Sequence, residues 1–240
     1  MSRRNYSASS NYSIIPLRRS ISAHQPYGKT HSSSFYSVIF HDEVIHVTVA
    51  KKADHVDQWI SRIRRVHCRC PHCELLVGLD TEWHASFVRG EDSPVAVLQL
   101  CVGQQCLIYE LLHTDSIPAS LHEFLADPRH TFYGVGVKDD VRKLYNHQGL
   151  RVTNTVDLNE LITRFTNLED GSRYGRPMGL KRMALTVLGK EMMKPLRVTL
   201  SKWGSLNLSF AQVEYAAIDA YVSFQIAAFF TSTVDGKNYN

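Results

Sequence analysis

From Leu75 onward, short β-branched apolar runs alternate with stretches of helical period, which restricts this part of the chain to an α/β architecture. The predicted strands are Leu75-Leu-Val-Gly-Leu-Asp80, Val95-Ala-Val-Leu-Gln-Leu-Cys-Val102, Gln105-Cys-Leu-Ile-Tyr109, Thr131 to Val137 and Thr155-Val-Asp157. The tight Gly103-Gln104 junction makes the second and third a hairpin. Helices are expected at about Ser120 to Ala126, Asp139 to His147, Leu180 to Leu188 and Ser209 to Phe230. The last opens with Ser209-Phe-Ala-Gln212, which has the form of a capping box. Asn167 to Pro177 is polar, basic and Gly-containing, and reads as a loop.

Upstream lies a separate pattern. Ser37-Val-Ile-Phe40 and Val44-Ile-His-Val-Thr-Val-Ala50 are β-branched runs split by His41-Asp42-Glu43, hence a second hairpin. Val56, Trp59, Ile60, Ile63 and Val66 recur at helical spacing and predict a helix from about Asp54, with Arg62, Arg64 and Arg65 on its solvated face. The first 34 residues are Ser-rich, hold Pro16 and Pro26 and lack an apolar period, so they are expected to remain unfolded. The divisions are therefore 1–34 tail, 35–74 hairpin, helix and connector, 75–231 main domain and 232–240 tail.

A chain of 240 residues, 44% hydrophobic, can bury one substantial core and is short for two full domains. No apolar run reaches the roughly 18 residues of a membrane span, so no membrane association is expected. The net charge of +4 invites a polyanion partner, but five of the 27 bases lie in residues 1–34 with no acid, leaving 22 bases against 23 acids elsewhere. The folded part is near neutral, and charge alone decides little. Five cysteines without a secretory signal fit a reducing compartment, nucleus or cytoplasm. The acid-free Arg- and Ser-rich start also has the composition of an organellar transit peptide. Cys68-Arg-Cys70-Pro-His72-Cys73, near His67, offers soft ligands for zinc, yet the second half of a four-ligand site is missing locally, so free thiols in a connector are expected.

Acids gather at strand and helix ends. Asp80-Thr-Glu82 closes a strand, where alternation points Asp80 and Glu82 to one face. Two like charges there repel unless a divalent cation compensates them; a solvated strand end is the plainer reading. In the last predicted helix, Tyr215-Ala-Ala-Ile-Asp219 puts a phenol and a carboxylate on one face, with Ala216, Ala217 and Ala220 leaving room for close approach. Gly134-Val-Gly-Val-Lys-Asp139-Asp140 crosses from a strand to a helix, a position that can face the first pair. From the residues alone, Asp139 and Asp140 compete, and one of them can serve as a helix cap.

The ordered set Asp80-x-Glu82, Asp140 and Tyr215-x-x-x-Asp219 resembles the DEDDy 3′-5′ exonucleases, above all the Werner syndrome-type exonuclease domain with its small plant relatives. The likeness covers roughly residues 75 to 230. It includes Val77-Gly-Leu-Asp-Thr-Glu-Trp83, Leu98-Gln-Leu-Cys101, Gly134-Val-Gly136, Ser201-Lys-Trp203, Leu208-Ser209 and Tyr215-Ala-Ala-Ile-Asp-Ala-Tyr221. Spacing from Gly136 in the family pattern selects Asp140 over Asp139. The resemblance implies a ribonuclease H-like core, a five-stranded mixed sheet with its third strand antiparallel and helices on both faces; the N-terminal hairpin and helix lie outside it.

It further implies a metal-dependent hydrolase that releases nucleoside 5′-monophosphates from the 3′ end of DNA or RNA. By likeness, Asp80 bridges two Mg²⁺ or Mn²⁺ ions, Glu82 and Asp219 complete one site, Asp140 holds the other ion, and Tyr215 orients the attacking water. Single strands or 3′ overhangs are the implied substrates, and small relatives assemble as homo-oligomers. Trp83 reads as a stacking surface for the terminal base or as a core residue. Arg173 and Arg176, with Lys181 and Arg182, read as backbone contacts or as solvated charge. The competing reading is a nucleic-acid-binding or interaction module that keeps the fold without turnover; its expected mark, a lost motif residue, is missing.

Overall fold

A computed structural model describes residues 28–29, 33–68, 73–83, 93–166 and 177–235. Strands β1 (Gly28–Lys29), β2 (Ser33–Phe40), β3 (Glu43–Ala50), β4 (Leu75–Trp83), β5 (Val95–Val102), β6 (Gln105–Glu110), β7 (His130–Gly134) and β8 (Thr155–Asp157) form one sheet in the order β1-β2-β3-β6-β5-β4-β7-β8. Helices are α1 (Ala53–His67), α2 (Ala119–Ala126), α3 (Val137–Gln148), α4 (Leu158–Thr166), α5 (Leu180–Leu188), α6 (Leu196–Thr199) and α7 (Phe210–Asp235).

The expected α/β core of five mixed strands, β6-β5-β4-β7-β8, is present with helices on both faces. Its odd strand differs from expectation. β5 runs antiparallel to both β4 and β6, while β7 and β8 run parallel to β4, so the second core strand, not the third, is reversed. Two chain reversals, into β5 and out of it, return β6 to the direction of β4. Every residue of β5 is buried, which accounts for its unbroken apolar run.

The N-terminal hairpin is no appendage. β3 pairs in parallel with β6, from His46 opposite Gln105 to Ala50 opposite Tyr109, and continues the sheet by three strands. Its Ile45, Val47 and Val49 enter the core shared with α7. Lys51, just past β3, donates to the Leu206 carbonyl and, at 3.0 Å, to Asn207 Oδ1, and lies 3.9 Å from buried Glu110. The extension is thereby tied to the loop preceding α7. β1 falls inside the stretch expected to be unfolded, pairing Gly28 with Phe35.

α1, α2 and α3 cover one face around Trp59, Phe124, Phe132 and Leu144. α4, α5 and α7 cover the other around Met183, Ala217, Tyr221 and Phe224. α3 starts at Val137, two residues before the expected Asp139, because Gly136 takes a left-handed φ of 72° that ends the extended backbone of β7. α4 was not foreseen. Cys68 and Cys73, expected as free thiols, are joined by a disulfide linking the end of α1 to the start of β4, which removes both as thiolate ligands; Cys101 and Cys106 are free and buried. The predicted loop lies outside the described residues for 167–176, as do Arg173 and Arg176.

α7 meets β4 without an intervening side chain. A Cβ on Gly78 would stand 2.0 Å from the Ala220 carbonyl oxygen and 2.7 Å from the Phe224 nitrogen, both backbone atoms of α7. Gly78→Ala must therefore push α7 off the sheet, at a cost at or above the upper end of the ~1–3 kcal/mol typical of overpacking. Chemical denaturation of the variant is expected to show that loss at unchanged m-value; near-wild-type stability would contradict this contact.

Candidate active site

Three of the acids come from two segments, β4 and α7, each fixed by its own packing and hydrogen bonds. β4 lies in the middle of the five-strand core, and its alternation puts Asp80 and Glu82 on the face that α7 covers. α7 begins with the expected capping box: Ser209 N donates to Gln212 Oε1 at 2.8 Å, and Gln212 N donates to Ser209 Oγ at 3.3 Å. Gln212 Nε2 also holds Ser201 Oγ at 3.0 Å and the Lys202 carbonyl at 3.3 Å. Tyr215 and Asp219 then fall one turn apart.

Carboxylate oxygens of Asp80, Glu82 and Asp219 lie within 4.8 Å of one another. Asp219 is 2% exposed, and its Oδ1 is buried without a hydrogen-bond partner. Oδ2 accepts from Lys194 Nζ at 2.7 Å. Lys194, in the segment between α5 and α6, also lies 5.2 Å from the centre of the Tyr215 ring. No sequence signal pointed to it, since its partner is 25 residues away. Tyr215 is buried, with Trp203 at 5.9 Å between ring centres; the Trp203 indole donates to the Thr199 carbonyl at 3.2 Å.

Asp139 and Asp140 separate clearly. Asp139 is exposed and pairs with Arg142 at 3.0 Å; neither acid caps the helix through its side chain. Asp140 is 6% exposed, and its Oδ1 accepts from Thr81 Oγ1 at 2.6 Å. It is not one of the three carboxylates that converge within 4.8 Å, but its charge acts on Asp80 and Glu82. Trp83 is exposed, with the Lys143 ammonium 3.8 Å from its ring centre. Lys181 and Arg182 are exposed at the start of α5.

Burial raises the Asp80 carboxyl well above the usual range, and Asp219, Asp140 and Glu82 push it further. Burial, then repulsion from Asp219, lifts Glu82 to about 8. Asp140 rises to about 6, mainly by burial, with the Thr81 hydrogen bond opposing. Asp219 is raised by burial and drawn down by the Lys194 ammonium. Tyr215 goes to about 12, by burial first and then by Asp219. Three crowded acids, an orphaned carboxylate oxygen and an all-oxygen donor set fit a hard divalent cation such as Mg²⁺ or Mn²⁺.

A family model described as 3′-5′ exonuclease matches residues 47–235. The chain belongs to the 3′-5′ exonuclease family. A 3′-5′ exonuclease of Arabidopsis thaliana is 34% identical over 152 residues, covering 62% of this chain and 50% of that protein. One of Drosophila melanogaster is 32% identical over 184 residues, covering 72% and 47%. This chain thus spans about half the length of these curated relatives. Among solved structures, Escherichia coli RNase D superposes with a TM-score of 0.62 at 19% identity, over 78% of this chain and 45% of that one. The Aedes aegypti Nibbler EXO domain gives 0.63 at 17%, over 78% and 88%. At those identities the likeness shows the fold alone, the mixed sheet with helices on both faces described above.

The raised acids have a consequence in the metal-free protein. A carboxyl whose folded pKa exceeds its unfolded value binds extra protons when folded, so the folded state loses stability as pH climbs through that interval. For Glu82 the interval runs from 4.5 to about 8. Chelator-treated protein should therefore lose thermal stability from pH 5 to 8, and saturating Mg²⁺ should remove that slope. Lys194→Met should steepen it by deleting the only cation bonded to Asp219 among the described residues. Thermal melts across this range, showing a flat profile without metal, would contradict the assignment.

Proposed function

We propose that this chain hydrolyses the terminal phosphodiester of a nucleic acid strand at its 3′ end, releasing nucleoside 5′-monophosphates, with two divalent cations at Asp80, Glu82, Asp140 and Asp219. The observation that carries this reading is the convergence of Asp80, Glu82 and Asp219 with Tyr215 one helical turn away. Family membership supports the same reaction class.

Bound at these carboxylates, Mg²⁺ or Mn²⁺ supplies the positive charge that acidifies water and neutralises a phosphorane-like transition state. Asp80, Glu82 and Asp219 would hold one ion, and Asp140, with Asp80, the other. The Tyr215 hydroxyl, on a ring fixed by Trp203, aims the attacking water at phosphorus. Burial and Asp219 keep that phenol protonated, so it donates or accepts a hydrogen bond without itself becoming a base. The water gives up a proton to bulk solvent as its oxygen bonds to phosphorus, the P–O3′ bond breaks, and the departing 3′-oxygen takes a proton from solvent. Lys194 must yield Asp219 Oδ2 if both oxygens are to serve the cation.

The test is incubation with 3′-overhang DNA and single-stranded RNA of matched sequence, in Mg²⁺, Mn²⁺ or EDTA. Mononucleotide release in a ladder from the 3′ end is expected, and internal cuts would assign different chemistry. Asp80→Ala and Asp219→Ala should abolish release while the metal-free fold gains stability from relieved repulsion. Turnover in EDTA, or undiminished activity in either variant, would sink the mechanism. Tyr215→Phe should preserve packing and metal affinity while lowering kcat about 10²-fold, the scale of a lost positioning contact. A near-normal kcat would remove Tyr215 from the reaction, and a mainly raised KM would make it a binding residue.

A further inference from the structure

On β4 the residues between and after the two acids, Thr81 and Trp83, point to the opposite face, where α3 packs. Thr81 is 6% exposed, so its hydroxyl needs protein partners, and it has two. Trp83 Nε1 lies 2.9 Å from Thr81 Oγ1, and Thr81 Oγ1 lies 2.6 Å from Asp140 Oδ1. An indole N–H can only donate, and a hydroxyl has one proton to give. Thr81 must therefore accept from Trp83 and donate to Asp140. The 2.6 Å separation is that of a charge-assisted bond to a carboxylate.

Trp83 is itself constrained from two sides. Its indole N–H is held at Thr81 Oγ1, while the register shift beside it, from Glu82 opposite Val97 to Trp83 opposite Val95, puts the extra residue, Ala96, on β5. Lys143 places its ammonium 3.8 Å from the ring centre. Lys143 lies three residues after Asp140, on the same face of α3. Two neighbouring α3 side chains thus clasp two β4 side chains, and the clasp sits at the junction between the sheet and the fourth acid.

We infer that Thr81 and Trp83 are positioning residues for Asp140: the directed chain from indole to hydroxyl to carboxylate commits Oδ1 to the protein and leaves Oδ2 to a cation. This rests on the proposed role of Asp140 as a metal ligand. It gives Trp83 a task other than stacking on a terminal base, and it gives the residue between the two β4 acids a task of its own.

Thr81→Val keeps the shape and deletes the proton; Thr81→Ser restores it; Trp83→Phe keeps an aromatic face and deletes the N–H. Mn²⁺ binding to each protein, read from the free-ion paramagnetic resonance signal without substrate, is measured beside kcat and KM on 3′-overhang DNA and single-stranded RNA. Thr81→Val should weaken the weaker Mn²⁺ site and lower kcat by about 10- to 100-fold, the usual effect of losing a group that orients a ligand, with KM little changed. Thr81→Ser should recover most of both, and Trp83→Phe should move both the same way by a smaller factor. Wild-type Mn²⁺ binding in Thr81→Val overturns the inference, as does a Trp83→Phe variant that changes nothing or changes KM alone. Should Thr81→Val fail to fold, Trp83→Phe decides. A wild type that binds Mn²⁺ but releases no nucleotide defeats the proposed function only, and the Mn²⁺ isotherms still decide this inference; a wild type that binds no Mn²⁺ defeats both.

Discussion

The site depends on how near α7 can come to β4. Gly78 precedes Asp80 by two residues, and Ala220 follows Asp219 by one, so the bare backbone contact between Gly78 and Ala220 sets the distance across which the acids meet. Ala216, Ala217 and Ala220 of the same helix are fully buried. A larger residue at Gly78 would insert a layer of side chain between strand and helix. The carboxylates of Asp80, Glu82 and Asp219 would then be drawn apart from the 4.8 Å within which they now converge.

That closeness has an electrostatic cost. Burial and mutual repulsion act in the same direction on Asp80 and Glu82, and the chain offsets them with groups drawn from elsewhere: the Lys194 ammonium on Asp219 and the Thr81 hydroxyl on Asp140. Apolar packing on both faces of the sheet has to supply the balance. Activity and stability therefore pull against each other at this one place, as they do wherever like charges are gathered for a reaction.

What the sequence revealed of this arrangement was the part written in short-range periodicity. A two-residue alternation put Asp80 and Glu82 together, a four-residue spacing did the same for Tyr215 and Asp219, and a capping box marked the start of α7. Choosing Asp140 over Asp139 took the family pattern, because adjacent residues at a helix start have no periodicity to separate them; burial does. Lys194 and Thr81 stayed invisible, since their partners lie 25 and 59 residues away and neither type is unusual in its place. The hairpin was legible as a hairpin, but its pairing with β6 was not, because strand partnership is decided by the whole sheet. Leu158, Leu161, Ile162 and Phe165 carry a helical period over α4, too short to stand out beside β8, and the spacing of Cys68 and Cys73 alone does not separate thiols, ligands and bridges.

The pairing of β3 with β6 bears on how the molecule can be divided. The region that matches the family begins at residue 47, in the middle of a strand whose outer neighbour, β2, runs alongside it over its whole length. A recombinant fragment begun at that boundary would keep half of β3, lose β2 entirely, and turn a protected row of backbone N–H and C=O groups into a ragged open edge, the kind of surface on which chains stick to one another. The smallest well-behaved unit should instead start before Ser33, so that the hairpin shields the edge of the core sheet.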